Sequence, residues 1–335
     1  MTAQPPILAR ARELVQPVLR KSVGSLEPHL RLAAEYHFGW AEADGTPIDG
    51  PGGKAMRPAL VVLGAEAAGA DASVAVPAAV AMELIHNFSL VHDDIMDGDR
   101  TRRHRPTVWD VYGVGDAIIA GDAMHTLAFE VLATDGGPHT TQAVRRLATA
   151  TAAMIAGQAQ DTALDRRDDG TLAECVEMEH NKTAALLGGS AAIGAICGGA
   201  DTDVVAALEQ YGFELGLSFQ AIDDVLGIWG DSAVTGKPVG NDLREHKKSL
   251  PVMLAMEADA GLAARLRAAF AGPTPEPVVA ELAGLLTDAG IREQVEARAA
   301  AHLGSALAAL RGQPIDGAVV AELESLARFV VEREY

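Results

Sequence analysis

Apolar residues return every three or four positions along most of the chain, the spacing that gathers them on one face of an α-helix, and runs of β-branched residues are few. The periodicity breaks at turn-rich segments, residues 43–53, 134–138, 166–170, 271–277 and 312–317. The stretches between them predict about ten or more helices. No long low-complexity linker and no repeat of fixed period divides the chain, so one helical domain over residues 1–335 is expected. The N-terminal segment carries charges among its apolar residues and reads as a first amphipathic helix, not as a secretion signal. The longest uncharged stretch, residues 183–200, approaches membrane-spanning length, but it is mostly Gly, Ala and Ser and would insert weakly. A tightly packed internal helix is expected there, and no membrane span.

Composition sharpens this picture. With 335 residues, 49% of them apolar, the chain can bury a large core. Only 4% are aromatic, while Ala, Leu, Glu and Arg abound, which favours helix over sheet and an all-α fold. The formal charge of −19 repels nucleic acid and anionic membranes, which excludes polyanion binding as the purpose of the surface. Cys175 and Cys197 lack the spacing of a metal knuckle or redox pair and fit a reducing, cytoplasmic setting.

The chemistry begins where the helical pattern carries acids. In Ile85 to Asp97, Asp93 and Asp97 stand one helical turn apart and project from the same face, and His86, seven residues before Asp93, falls on that stripe. Two partly buried carboxylates at one point repel each other and force a proton onto one of them unless a cation intervenes. Magnesium suits such a pair, because it takes oxygen ligands and combines one or two carboxylates with substrate phosphates and water. In so acidic a chain a solvated helix end would give the same pattern. A second acidic pair argues against that reading: Asp223-Asp224 lies inside the apolar run Phe219 to Gly227, where desolvating an unpaired carboxylate costs several kcal/mol.

Cations cluster beside both motifs, Arg100, Arg102, Arg103 and Arg105 after the first and Lys237, Lys247 and Lys248 after the second. Lys54 and Arg57 form a third group before Pro58. Against the negative excess these concentrations point to local anion sites, and arginine offers forked donors for phosphate oxygens.

The motifs together resemble those of the trans-prenyl diphosphate synthases, also called polyprenyl synthetases, over nearly the whole chain. They are Gly53-Lys54-x-x-Arg57-Pro58, Asp93-Asp94-x-x-Asp97 followed by Thr101-Arg102-Arg103, Lys182-Thr183, Phe219-Gln220-x-x-Asp223-Asp224, and Gly236-Lys237 with Lys247-x-Ser249-Leu250. The resemblance implies an all-α bundle of the isoprenoid synthase type around a central cavity, and condensation of isopentenyl diphosphate with an allylic diphosphate. It implies that Asp93, Asp97 and Asp223 hold magnesium, three ions with substrate bound, and that Arg102, Lys182 and Lys237 contact the allylic diphosphate. By the same carry-over Lys54, Arg57, His86 and Arg103 hold isopentenyl diphosphate, Lys247 is a further phosphate contact, and Thr183 and Gln220 lie beside the reacting carbons. A homodimer is implied as well.

Two departures stand out. Gly227 occupies the place where the second motif usually has a third aspartate, with Asp231 one turn later as a partial substitute, and His104 and His246 stand where related sequences often have Gly. For product length the resemblance points to Phe88 and Ser89, five and four residues before Asp93, with five residues rising about 7.5 Å along a helix. A phenylalanine at that depth implies C20 geranylgeranyl diphosphate, with C15 farnesyl diphosphate the alternative; Phe88 as ordinary core is the competing reading. A class I terpene cyclase would need no Lys54, Arg57 or Arg103, and its NDxxSxxxE segment is missing, since Asn241-Asp242 leads to Glu245 where Ser should stand. A non-catalytic subunit would be free to lose acids that this chain keeps.

Overall fold

The computed structural model describes residues 4–48, 50, 53, 55–230 and 239–331. Sixteen α-helices among the described residues carry the chain: α1 Pro6–Val23, α2 Pro28–Phe38, α3 Met56–Ala67, α4 Val76–Asp97, α5 Val108–Tyr112, α6 Val114–Thr134, α7 Thr140–Asp165, α8 Leu172–Glu179, α9 Ala185–Gly198, α10 Thr202–Trp229, α11 Asn241–Arg244, α12 Leu250–Ala258, α13 Ala260–Phe270, α14 Glu276–Asp288, α15 Ile291–Ala309 and α16 Gly317–Val331. A 3-10 turn, Ala72–Ala75, leads into α4, and a wide π turn, His180–Ala184, joins α8 to α9. One two-stranded ribbon, β1 Thr101–Arg102 with β2 Arg105–Pro106, interrupts the helices.

Local chemistry sets the boundaries. Pro28 opens α2, where the Glu27 side chain accepts from the backbone N–H groups of His29 and Leu30, and Gly39 closes it at φ 74°. Thr171 and Glu174 cap α8 reciprocally. The turn-rich segments 134–138, 166–170, 271–277 and 312–317 mark helix boundaries, with α14 already beginning at Glu276 within the third. In α1, Ile7, Leu8, Ala11, Val15, Leu19 and Val23 form the buried face of the amphipathic pattern.

The centre is built on α9, which packs against α3 on one side and α10 on the other. It is buried from Leu186 to Ile196, so the middle of the uncharged stretch 183–200 is interior, as its small side chains predict, while Gly199 at its end is exposed. Those side chains let backbones touch: a Cβ on Gly194 would fall 2.0 Å from the Val61 carbonyl oxygen. Around this axis α4 lies on α6, and α10 on α15. One apolar cluster runs from Ile7 and Leu8 in α1 through α3, α9 and α10 to Val330 in α16. Arg10 fastens the same ends by donating from Nη2 to Glu66 in α3 and Glu322 in α16, each at 2.9 Å.

Among the described residues two helices, residues 72–97 and 114–134, are long and apolar enough to cross a membrane by length and composition. The first is mostly buried and carries the Asp93 motif, as a core helix would. The second, α6, is less covered and exposes Val114, Ile118 and Ile119.

Candidate active site

At the C-terminal end of α4, Asp93 and Asp97 face the π turn that carries Lys182. Burial raises the Asp93 carboxyl to about 6, with nearby Lys182 opposing and Asp97 adding to the rise. Asp97 is open to solvent, yet the walls around it raise its pKa too, against Lys182 and Lys247. Asp94 points to the other side of α4, where its Oδ1 accepts from Arg102 Nε at 2.7 Å. Its Oδ2 is buried without a hydrogen-bond partner among the described residues, and burial lifts this carboxyl to about 6.

A wider turn, closing i to i+5, displaces the backbone at His180–Ala184 and turns Lys182 and Thr183 toward α7 and α10. Lys182 Nζ donates to Asp161 Oδ2 on α7 at 2.5 Å. Burial disfavours its ammonium, but Asp161, Asp93 and Asp97 outweigh that and hold the pKa above the ordinary lysine value. Thr183 Oγ1 donates to Gln220 Oε1 at 2.8 Å, and Gln220 Nε2 donates to Asp224 Oδ1 at 2.7 Å. The other oxygen of Asp224 accepts from the Leu250 N–H at 2.9 Å.

Asp223 and Asp224 therefore have different surroundings. Asp224 is buried behind the wall, hydrogen-bonded to the buried Glu179, and burial raises both carboxyls, Asp224 to about 7. One proton held between two such acids removes the like-charge conflict. Asp223 lies close enough to Arg57 to support the charge on its guanidinium.

Arg57, His86 and Arg103 form a second group. Arg57 Nε is buried without a hydrogen-bond partner among the described residues, and burial lowers the guanidinium to about 10 against the pull of Glu83 and Asp223. His86 is held well below its ordinary pKa by burial first, then by Arg57, Arg103, Arg102 and His37. Arg103 reaches solvent at the edge of the group, although desolvation by the surrounding walls still lowers its pKa. The group is thus a set of mutually repelling donors balanced by Glu83, which suits a polyanion.

Lys54, Lys237 and Asp231 lie outside the described residues. Lys247 is described: burial lowers its pKa, but Asp242, Glu245 and Asp97 reverse the shift and raise it. Its loop therefore reaches from the second acidic helix toward the first. Phe88 is buried in the α4–α6 seam, edge-on to His92 at 5.4 Å and His125 at 5.0 Å between ring centroids. Ser89 bonds its own helix, donating to the His86 carbonyl.

The departures from the motif pattern acquire physical reasons. A Cβ on Gly227 would fall 2.1 Å from Asp242 Oδ2, so the Asp242 carboxylate of α11 occupies the space that a side chain at 227 would need. Arg103 and His104, at φ 52° and 62°, form the two-residue loop between paired Arg102 and Arg105, a primed turn for which glycine is suited. His246, at φ 59°, is held there by stacking on Phe270 and a 2.8 Å hydrogen bond with Thr274 Oγ1.

Sequence reasoning missed Asp161, Glu179, Glu83, Asp242 and His37. His37 lies 3.1 Å from Asn87 Oδ1, and burial with Arg103 and Arg102 lowers its pKa to about 3. A signal for Asp161 existed: with Asp165 it repeats the one-turn carboxylate spacing of Asp93 and Asp97. Glu179 and Asp242 meet their partners only through the fold.

The donor set fits magnesium. No three Asp, Glu, His or Cys side chains among the described residues converge as a ready-made metal cage. Two raised carboxylates on one helix face instead match an ion that completes its shell with phosphate oxygens and water.

Comparison with known proteins bears on this geometry. The family model described as polyprenyl synthetase matches residues 45–283. The chain is 45% identical over 334 residues to a (2E,6E)-farnesyl diphosphate synthase of Mycobacterium tuberculosis, covering 98% of this chain and 93% of that one. It is 46% identical over 269 residues to a geranylgeranyl diphosphate synthase of the same organism, covering 80% and 77%. Its structure superposes on the crystal structure of a polyprenyl synthetase from Streptomyces coelicolor A3(2) with a TM-score of 0.93 and 48% identity, covering 98% and 99%.

Proposed function

The chain belongs to the polyprenyl synthetase family and is a trans-prenyl diphosphate synthase with the all-α isoprenoid synthase fold, and we propose that it extends allylic diphosphates with isopentenyl diphosphate to the C20 product. The observation that carries the reading is the convergence of two distant cations on the acids of α4: Lys182 of the π turn acts on both Asp93 and Asp97, and Lys247 beyond α10 acts on Asp97. The family's members are generally magnesium-dependent. We assign Asp93, Asp97 and Asp223 to hold the ions, three with substrate bound, and Arg102, Lys182, Lys237 and Lys247 to the allylic diphosphate. Lys54, Arg57, His86 and Arg103 take isopentenyl diphosphate. Asp242, standing where a third acid of the second motif would project, serves that acid's purpose.

Held by Asp93, Asp97 and Asp223, magnesium would supply positive charge against the departing diphosphate. Lys182 adds a fixed ammonium beside that leaving group, kept charged by Asp161. Thr183 and Gln220 orient one another through a single hydrogen bond, so their oxygens are fixed near the carbon that gains positive charge. Arg57, His86 and Arg103 hold the second diphosphate, setting its double bond against the allylic carbon. Apolar walls exclude water from the cation. No protein nucleophile is needed: the allylic C–O bond breaks as pyrophosphate leaves, the isopentenyl double bond forms the new C–C bond, and the released pyrophosphate is placed to accept the proton that the resulting carbocation loses.

Phe88, wedged against His92 and His125, supports a floor that stops growth at C20, with C15 farnesyl diphosphate the alternative. The cluster uniting α1 with α16 supports one catalytic unit over residues 1–335. The exposed apolar side chains of α6 support a homodimer through that helix, in the cytoplasm. The test is to incubate purified protein with isopentenyl diphosphate, each allylic primer and magnesium, and size the products by mass spectrometry. C20 product is expected; hydrocarbon formed without consumption of isopentenyl diphosphate would overturn the reading.

A further inference from the structure

The π turn that carries Lys182 and Thr183 is an irregular piece of backbone, and its seat is built from the absence of side chains. On α7, Gly157 is buried, and a Cβ placed on it would lie 2.2 Å from the Lys182 nitrogen, 2.6 Å from its Cα and 2.8 Å from the Asn181 carbonyl carbon. On α10, a Cβ on Gly216 would lie 2.6 Å from the Ala184 Cα. The wide turn is thus gripped by two bare patches of helix backbone, one on either side. Such contacts are backbone against backbone, so no rotamer change relieves them.

Closeness here sets the side-chain geometry. One turn after Gly157, Asp161 meets Lys182 Nζ, and Gln160 accepts from Asn181 Nδ2 at 2.9 Å. On the far side Thr183 reaches Gln220. Each bond requires the turn to lie at its observed distance from α7 and α10 together.

We propose that Gly157 is a positioning residue for the condensation: by letting α7 touch the π turn, it fixes where Lys182 and Thr183 stand relative to the allylic diphosphate. The proposal rests on the reading that Lys182 and Thr183 face that substrate. A methyl group at 157 pushes the turn off α7 and moves both side chains together, without changing a single functional group.

The experiment compares Gly157→Ala with Gly189→Ala in the full-length protein. Gly189 lies on α9 against α7, where its Cβ would meet the Ala150 Cβ at 2.6 Å, so it strains the same seam away from the turn. Melting temperature, kcat and the KM for isopentenyl diphosphate are measured for both. Gly157→Ala is expected to lose on the order of 10²-fold in kcat, the scale of a 1 Å misplacement, with the isopentenyl KM unchanged. Gly189→Ala is expected to lower the melting temperature comparably and to keep kcat. Retention of kcat within about twofold in Gly157→Ala, or an equal kcat loss in Gly189→Ala, would overturn the proposal. Should Gly157→Ala fail to fold, Gly216→Ala presses on the same turn from α10 and decides by the same comparison. Lys182→Ala separates the two levels: if it turns over normally, the site reading falls, whereas lost turnover there with normal Gly157→Ala removes only the positioning role.

Discussion

Restoring the missing aspartate of the second motif should damage this enzyme. Gly227→Asp gives the sequence its usual third acid, but the new Cβ would stand 2.1 Å from Asp242 Oδ2, 2.5 Å from its Cγ and 2.8 Å from Oδ1. Carbon and oxygen need over 3 Å, so the Asp242 carboxylate must retreat by about 1 Å, and the second negative charge drives it further. A misplacement of about 1 Å in a group that orients substrate costs on the order of 10²-fold in rate, and overpacking the wall costs about 1–3 kcal/mol of stability. Steady-state condensation over a magnesium titration reads both the rate and the metal requirement. Lower kcat and a higher magnesium requirement are expected, with the double swap Gly227→Asp, Asp242→Gly recovering most of the loss. Wild-type or higher kcat in the single variant would refute the claim that Asp242 fills the third acid's place.

Other perturbations follow from the same geometry. Asp93 titrates near 6 when folded, above its unfolded value, so it destabilises the metal-free protein as pH rises through that window. Asp93→Asn should therefore raise the metal-free melting temperature at pH 8 but not at pH 4, while cutting turnover by at least about 10²-fold. In the unsubstituted enzyme, activity should fall as pH drops through about 6, with excess magnesium moving that limb lower because metal and proton compete for the same oxygens. Phe88→Ala opens the floor against His125 and should lengthen the products by mass spectrometry; unchanged chain length would remove Phe88 from that role. His104→Gly relieves a left-handed conformation worth about 1 kcal/mol and should raise the melting temperature, whereas His246→Gly should not, because it also loses the Phe270 stack and the Thr274 bond.

The helical architecture was legible because its signal is local: period and turn-rich breaks decide α1 and the interior α9 without reference to distant chain. The Asp93–Asp97 face was legible for the same reason, being one turn of one helix. What the sequence hid is contact between elements. Asp93 and Asp94 are neighbours in sequence, yet one faces Lys182 and the other bonds Arg102, a division set by which side of α4 the ribbon covers. Gly227 read as a lost ligand because the carboxylate beside it arrives from α11, fifteen residues on. The π turn itself carries no signature, and the bare backbone against which it sits, at Gly157 and Gly216, belongs to other helices.

If acids on α4 and α10 together hold a diphosphate through divalent ions, calorimetric titration of an allylic diphosphate analogue whose leaving group cannot depart will show it. Binding should require magnesium in the unsubstituted protein and be lost in both Asp93→Ala and Asp223→Ala. Equal affinity with chelator present, or undiminished binding in either variant, would contradict it.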